Sequence, residues 1–313
     1  MIQEEFSIMK KNLIVLALGL VLAFSLAACG SDSNESSTAS TDSFKGDYVV
    51  NADYAKKHAD DAIIVDARGV DAANKKTIKG AVALDWQTIS KCADRKSGEA
   101  GFSCILDAPE LATVLGENGI DKNKEIILFS SAQDGWGEDG RIAWELIAAG
   151  YKDVKIVNGG FNAMKDAGFK TQKGGTKLDK VSVTIDSLNT DHMINTDELV
   201  TDYSKYKIVD VRSDKEYDGA TDYGEAKGGH LPDAIHIKYT DLFEKDGTLK
   251  SNKDIEKMFK KAGLSKDDQI VTYCTAGIRS AYMQLIMQQC GYKHVKNYDE
   301  SYYRWCATQS VEK

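Results

Sequence analysis

A cysteine, Cys274, stands in a short loop between a predicted strand and a predicted helix. The strand is the β-branched and aromatic run over residues 269–273, and apolar residues at helical spacing indicate the helix from Ile278 onward. At such a junction, backbone N–H groups converge on the side chain and the positive end of the helix dipole lies behind it. Both stabilise a thiolate, so Cys274 is predicted to be a reactive nucleophile.

The loop that follows this cysteine has the composition of an anion cradle. Its amides are predicted to surround the sulfur, as amides do where a helix N-terminus holds an anion. Gly277 permits a backbone turn that other residues resist, and Arg279 carries a permanent charge with two parallel donors. The candidate binding residues are Thr275, Ala276, Gly277, Ile278, Arg279 and Ser280.

The chain contains two copies of one pattern. Asp66 in the run IVDAR and Asp210 in the run IVDVR are 144 positions apart, and a later pair of glycine-containing motifs repeats that spacing. Ser130 therefore corresponds to Cys274, in a loop that is longer, acidic and without a thiol. Because serine lacks the nucleophilicity of a thiolate and no base is visible nearby, the first copy is predicted to be non-catalytic.

Each copy alternates short apolar strands with helical patterns, which predicts parallel strands joined by crossover helices. The predicted fold class is α/β, with two tandem domains, each a mainly parallel sheet flanked by helices on both faces. We expect a non-catalytic domain over residues 46–170, an interdomain linker over 171–195 and a catalytic domain over 196–313. Sites in such sheets form beyond the carboxyl ends of the strands, where Cys274 is placed.

The N-terminal residues have the pattern of an export signal. Lys10 and Lys11 precede an apolar run over residues 13–26 that is too short to span a membrane comfortably. Met9 is a more natural start than Met1, because acidic residues lie between the two where a signal prefers positive charge. An uncleaved membrane anchor is the alternative interpretation.

The end of this run, LAAC over residues 26–29, resembles the lipobox of bacterial lipoproteins. That resemblance implies a signal peptide over 1–29, cleavage before Cys29 and lipidation of its thiol. Residues 30–45 are rich in Ser, Thr, Asp and Asn, and we expect them to form a flexible tether. The protein is therefore expected to be exported and lipid-anchored, on the periplasmic or extracellular face of a bacterial membrane.

Composition limits the other partners. A net charge of −8 argues against a nucleic-acid partner, and with five histidines and no clustered Cys/His spacing we expect no metal and no other cofactor. We expect a monomer. Outside the cytoplasm disulfides are permitted, so Cys92 and Cys104 either form a bridge or remain free thiols. Cys290 and Cys306 are predicted to be packed core residues.

Taken together, these motifs resemble the rhodanese, or thiosulfate sulfurtransferase, superfamily in its tandem-domain form. The pieces that match are DVR over 210–212, GHLPDA over 229–234 and CTAGIR over 274–279. The resemblance implies two rhodanese-like domains with the catalytic cysteine, Cys274, in the second alone. It also implies small-molecule partners: a sulfane sulfur donor such as thiosulfate and a thiophilic acceptor, cyanide or a thiol. A Cys274 persulfide would carry the sulfur between them.

Other residues of these motifs are assigned by the same resemblance. Arg279 would hold the sulfonate oxygens of the donor or stabilise the persulfide. Thiosulfate-specific tandem members carry extra basic residues where this chain has Ala276 and Glu216, and Asp233 replaces a usual glycine, so the donor stays open.

Three polar residues near the candidate site are predicted to serve the structure. Asp210 and Arg212 are expected to form an ion pair at the end of a strand, and His230 is expected to be a packed imidazole.

Two other functions use related features. A phosphatase or arsenate reductase also has a Cys-loop-Arg cradle, but phosphatases place one more residue between the two than the four that separate Cys274 from Arg279. The shorter ring suits a single sulfur atom. A sulfur-binding or sensory surface lipoprotein without turnover is the alternative of a different class, and the presence of both residues argues against it.

Overall fold

The computed structural model describes residues 43–313, which form two α/β halves. Each half is built on a five-stranded sheet in which every pairing is parallel. The predicted fold class is therefore confirmed. The predicted signal peptide, with Cys29, and most of the predicted tether lie outside the described residues.

The first half has the sheet order β1-β6-β5-β2-β4, and β3 pairs with β7 in a separate antiparallel ribbon. Every residue of β5 is buried, as expected for a central parallel strand covered on both faces. The bounds are β1 Val49–Val50, α1 Ala52–His58, β2 Ile63–Asp66, α2 Val70–Lys75, β3 Thr77–Ile78, β4 Val82–Ala83, α3 Ala108–Glu117, β5 Ile126–Phe129, α4 Glu138–Ala148, β6 Val154–Val157, α5 Gly160–Asp166 and β7 Thr171–Gln172.

The second half repeats this arrangement with the sheet order β10-β9-β11-β12-β8. Its central strand, β11, is buried at every position after the first. The bounds are β8 Met193–Ile194, α6 Thr196–Asp202, β9 Lys207–Asp210, α7 Asp214–Tyr217, β10 Ile235–His236, α8 Asn252–Lys261, β11 Gln269–Tyr273, α9 Ile278–Gln289, β12 His294–Tyr298 and α10 Ser301–Thr308. Short 3₁₀ turns lie at Trp86–Thr88, Ala132–Asp134, Tyr203–Lys205 and Tyr239–Leu242.

Helices α4 and α9 pack against each other and join the two halves. A Cβ atom at Gly140 in α4 would lie 2.3 Å from Cδ2 of Tyr282 in α9, so this close approach requires a glycine. Buried apolar residues from both halves belong to one continuous core. Because α9 begins directly after the Cys274 loop, this contact fixes the loop relative to the first half.

Arg141 in α4 is a fully buried cation at the same junction. Its guanidinium pairs with Glu145 at 2.8 Å and with Asp299 at 2.5 Å, and it donates to the carbonyl of Ser103 at 2.8 Å. A longer bond of 3.3 Å reaches the carbonyl of Gly277 in the candidate loop. Arg141 therefore connects the first half to the loop and to the residue that follows β12.

Replacing Arg141 by Met is expected to lower the free energy of unfolding by about 3–5 kcal/mol, because the Asp299 and Glu145 carboxylates would stay buried without their partner. Equilibrium denaturation in urea measures this. Lys205→Met is the control, since it removes an exposed pair with Asp202 and should leave the unfolding midpoint unchanged. A loss below about 1 kcal/mol for Arg141→Met would contradict the structural role of the buried pairs.

Candidate active site

Cys274 lies directly after β11, in the loop that leads into α9, and is 1% exposed. Its backbone N–H donates to Oγ of Ser301 at 2.9 Å. Gly277 ends the loop with a φ of +83°, and a Cβ atom there would lie 2.6 Å from the carbonyl oxygen of Asp299. A glycine is therefore required both by the left-handed backbone and by the close approach.

The surroundings of the thiol favour its ionised form. Burial opposes ionisation, but the charge of Arg279 outweighs it, together with hydrogen bonds from the Ser280 backbone and hydroxyl and from the Ala276 backbone. As a result, the pKa of Cys274 is lowered from its ordinary value. The Ser280 hydroxyl lies 3.7 Å from Sγ. The loop thus lowers the pKa of the Cys274 thiol, which is the direction that the sequence predicted.

Glu216, which belongs to α7, holds Arg279 in a bidentate ion pair. Nη1 donates to Oε2 at 2.9 Å and Nη2 to Oε1 at 2.6 Å, while the Thr275 hydroxyl donates to Oε1 at 2.7 Å. Burial raises the pKa of Glu216, but the hydrogen bond and charge of Arg279 outweigh it and lower that pKa to about 2. Glu216 is therefore an anion at neutral pH and offsets the charge of Arg279.

The predicted binding residues lie together in the loop beside Cys274 and at the start of α9. Thr275, Ala276, Ile278 and Ser280 are all buried, and the Arg279 side chain is 14% exposed. Four of the six line a cavity of about 220 Å³ in front of Cys274. Those four are Thr275, Ala276, Ile278 and Arg279.

The remaining lining residues come from elsewhere, and most are aromatic. Loops of the first half supply Trp86, Gln87, Cys92, Phe102 and Trp136, and the second half adds Tyr223 and Tyr303. None of these residues belongs to a sequence motif, and they meet only in the folded chain, so the sequence alone does not identify them. Two of the rings are exposed at the surface, Trp136 at 47% and Tyr223 at 43%.

The loop of the first half that corresponds to the thiol loop has a different role. Ser130 follows β5 as Cys274 follows β11, so the predicted correspondence is confirmed. Ser130 is fully buried, and its Oγ accepts a hydrogen bond from the Ala132 amide at 3.3 Å. Trp136 in the same loop reaches the cavity of the second half. The longer loop thus forms part of the wall around Cys274.

Asp210 and Arg212 form the buried ion pair that was predicted, with Nη2 of the arginine 2.6 Å from Oδ2 of the aspartate. His230 is packed as expected. Its ring stacks on Tyr217 at 3.8 Å between centroids, and its Nδ1 lies 3.1 Å from the carbonyl of the same residue. Asp233 has a φ of +54°, which shows why a glycine suits this position.

The other described cysteines are free thiols, so Cys92 and Cys104 are not bridged. Cys290 and Cys306 are buried, as predicted for core residues. Burial raises the pKa of Cys92 to about 11, and it therefore stays protonated at neutral pH beside the ionisable Cys274.

Within residues 43–313 no cluster of three or more His, Cys, Asp or Glu side chains has the arrangement of a metal site. Over the same range, no helix is both long enough and apolar enough to cross a bilayer.

Comparison with known proteins supports the repeat. A model of the rhodanese-like domain matches residues 51–167 and again residues 194–308. A putative thiosulfate sulfurtransferase of Mycolicibacterium smegmatis is 27% identical over 272 residues, which cover 82% of this chain and 94% of the relative. The sulfur carrier protein TtuD of Thermus thermophilus is 28% identical over 246 residues, covering 73% of this chain and 81% of that protein.

A solved structure shares the fold. The anaerobic ergothioneine biosynthesis enzyme from Chlorobium limicola superposes with a TM-score of 0.72 at 22% identity, and the match covers 83% of this chain and 68% of that chain. At this identity the likeness concerns the arrangement of helices and strands alone.

Replacing Arg279 by Gln is expected to raise the pKa of Cys274, because Arg279 makes the largest contribution that lowers it. The thiolate fraction would then rise only at higher pH, and the pH profile of iodoacetamide alkylation should shift upward. Glu216→Gln should shift the same profile to lower pH, since it removes the anion that offsets Arg279. Identical profiles for both variants and the unaltered protein would contradict this account.

Proposed function

The chain belongs to the rhodanese-like domain family, and on that premise we propose that it is a sulfurtransferase with Cys274 as its nucleophile. The observation that carries the proposal is the thiol itself: Cys274 has a lowered pKa and faces a cavity that a small molecule can enter. Relatives of similar length that are named putative thiosulfate sulfurtransferases support it.

The reaction has two displacement steps. In the first, the Cys274 thiolate attacks the outer sulfur of a sulfane donor, a bond forms between the two sulfurs, and the donor leaves with the electrons of its broken sulfur bond. In the second, an acceptor thiolate or cyanide attacks the outer sulfur of the persulfide and returns the thiolate to Cys274. Hydrogen bonds from the Ser280 and Ala276 backbone stabilise the anionic sulfur in both states.

The pairing of Arg279 with Glu216 bears on which role the arginine plays. Nη1 and Nη2 each donate one N–H to the carboxylate, and Nη2 also donates to the Thr275 hydroxyl at 3.1 Å, so part of the guanidinium is engaged and its charge is offset. This favours stabilisation of the anionic sulfur over capture of sulfonate or phosphoryl oxygens, which would have to use the remaining N–H groups. Thiosulfate, mercaptopyruvate and polysulfide remain donors to be compared.

We further propose that the protein is exported and lipid-anchored through Cys29. The support is the coincidence of a positively charged start, a short apolar run and the sequence LAAC over residues 26–29. A location outside the cytoplasm would restrict the acceptor to thiols that are present there.

Exposure of the purified protein to a sulfane donor is expected to add the mass of one sulfur atom to Cys274, and cyanide or a thiol should remove it. Mass spectrometry of the intact protein and of its peptides measures both steps. Cys274→Ser should abolish the adduct, while Cys290→Ser, a buried cysteine outside the cavity, should retain it. Absence of an adduct with every donor would overturn the proposal. An adduct that no acceptor removes would favour the sulfur-binding alternative.

Lipidation of Cys29 is tested in cells of a bacterial expression host fed an alkyne-labelled fatty acid. The unaltered protein should carry the label and sediment with membranes, because the attached lipid partitions into the bilayer. Cys29→Ser should lose both properties, while Cys92→Ser should keep them. A labelled Cys29→Ser protein would contradict the assignment.

A further inference from the structure

The cavity in front of Cys274 points to the chemical class of the acceptor. We propose that the acceptor is a small thiol that carries an apolar cation, such as a quaternary ammonium group. This inference rests on the proposed function, since it names the molecule that removes sulfur from the Cys274 persulfide. Three features of the described residues carry it: aromatic walls, the balance of charge and the chemistry of the second displacement.

Five of the seven residues that line the cavity outside the thiol loop are aromatic. Trp136 meets Tyr223 edge to face, with centroids 5.4 Å apart and planes at 79°, and Phe102 meets Tyr303 in the same manner at 5.6 Å and 74°. Because the two rings of each pair stand nearly perpendicular, the four rings that line the cavity do not lie in one plane. Trp86 adds a fifth ring. Boxes of aromatic rings attract cations through the negative faces of the rings.

The charges around the cavity do not favour an anion. Arg279 is the one basic side chain among its described lining residues, and Glu216 offsets that charge. The Cys274 thiolate adds a negative charge of its own. Among the charged side chains at the cavity, the sulfur of Cys274 is therefore left as an anion that a positive group on the acceptor would attract.

A second carboxylate lies behind the aromatic wall. Glu225 is 7% exposed and accepts a hydrogen bond from the Tyr223 amide through Oε2, while Oε1 has no hydrogen-bond partner within residues 43–313. Burial of the Tyr303 hydroxyl is the largest cause that raises its pKa, and the charge of Glu225 is the next; together with smaller contributions they raise it to about 12. The Glu225 carboxylate therefore acts on a residue of the wall. A cation in the cavity would compensate this charge.

The second displacement favours the same class of acceptor. The acceptor attacks as a thiolate, after losing its proton to solvent, and the persulfide that it attacks is also anionic. The new bond joins the acceptor sulfur to the outer sulfur, the bond from that sulfur to Cys274 breaks, and the electron pair returns to Cys274 as thiolate. No oxidant or reductant is consumed. A positive group on the acceptor cancels its own charge on approach and reduces the repulsion between the two anions.

The entrance is compatible with a soluble ligand. Trp136 and Tyr223 are the exposed members of the wall, and they come from different halves of the chain. An acceptor can therefore reach the rings from solvent and place its thiol toward Cys274 at the inner end. The charged head is left at the aromatic mouth.

The kinetic test compares thiols that differ in charge. The purified full chain is loaded with sulfur on Cys274, and sulfur loss is timed with thiocholine, with 3,3-dimethylbutane-1-thiol, which is its neutral isostere, and with 2-mercaptoethanesulfonate. Each rate is divided by that of the same thiol with a small-molecule persulfide, which removes differences in thiol acidity. Thiocholine should exceed its isostere by about tenfold, and the sulfonate should be slowest.

Variants locate the preference in the wall. Trp136→Leu and Tyr223→Leu keep an apolar surface without a ring face, and each should reduce the ratio of thiocholine to isostere by about 2- to 10-fold. Tyr206→Leu is the control, because Tyr206 precedes β9 at the opposite end of the strand from the site. Glu225→Gln should also lower the ratio, since it removes the negative charge behind the rings.

A binding measurement separates this inference from the proposed function. Choline, the oxygen analogue of thiocholine, should quench tryptophan fluorescence of the unloaded protein at lower concentration than 3,3-dimethylbutan-1-ol does, and Trp136→Leu should remove the difference. If Cys274 never accepts sulfur, the proposed function fails, while the choline comparison still decides whether the cavity selects cations. Equal binding of choline and its isostere, or equal normalised rates for the two thiols, would overturn the inference.

Discussion

Arg279 lies beside two anions, the Glu216 carboxylate and the Cys274 thiolate, and its charge stabilises both. The reactivity of Cys274 depends on how far Glu216 offsets that charge. A buried thiol resists ionisation, because an apolar surround favours its neutral form. Arg279 offsets this penalty from a position that Glu216 holds with two short hydrogen bonds. The same bonds take up two of the five N–H groups of the arginine and offset its charge, so Arg279 stabilises the thiolate from a fixed position.

The half that lacks the thiol is nevertheless part of the site. Its helix α4 lies so close to α9 that only a glycine fits at Gly140, and its Arg141 donates to a carbonyl of the thiol loop. These contacts fix the loop from behind. In front of the thiol, Trp136 and Phe102 close the cavity. One copy of the repeat therefore supplies the reactive sulfur, and the other supplies support and most of the aromatic wall.

The sequence was sufficient for the features that depend on neighbouring residues. The strand, loop and helix around Cys274 are continuous in the chain, and the Asp210–Arg212 pair spans a single turn, so local patterns predict them. The repeat then extended the α/β fold to the whole described chain. Such patterns do not predict contacts between segments that lie far apart in the sequence. Glu216 lies 63 positions from Arg279, and its acidity was visible only as a departure from a family pattern, not as a partner for the arginine.

The residues that make Cys274 reactive and the aromatic residues of the cavity wall belong mostly to different segments of the chain. The backbone of Cys274 and the side chains of Arg279 and Glu216 are held by hydrogen bonds to residues of the second half. The loop that carries Trp136 joins β5 to α4. It contacts the second half through the Trp136 ring and also through its backbone, since the Ala132 carbonyl accepts a hydrogen bond from the Tyr239 hydroxyl at 3.1 Å. A change of its aromatic residues would alter the cavity, while the ion pair of Arg279 and Glu216 keeps both of its partners. The reactive chemistry and the choice of acceptor are thus set by different segments of the chain, and the duplicated fold brings them to one cavity.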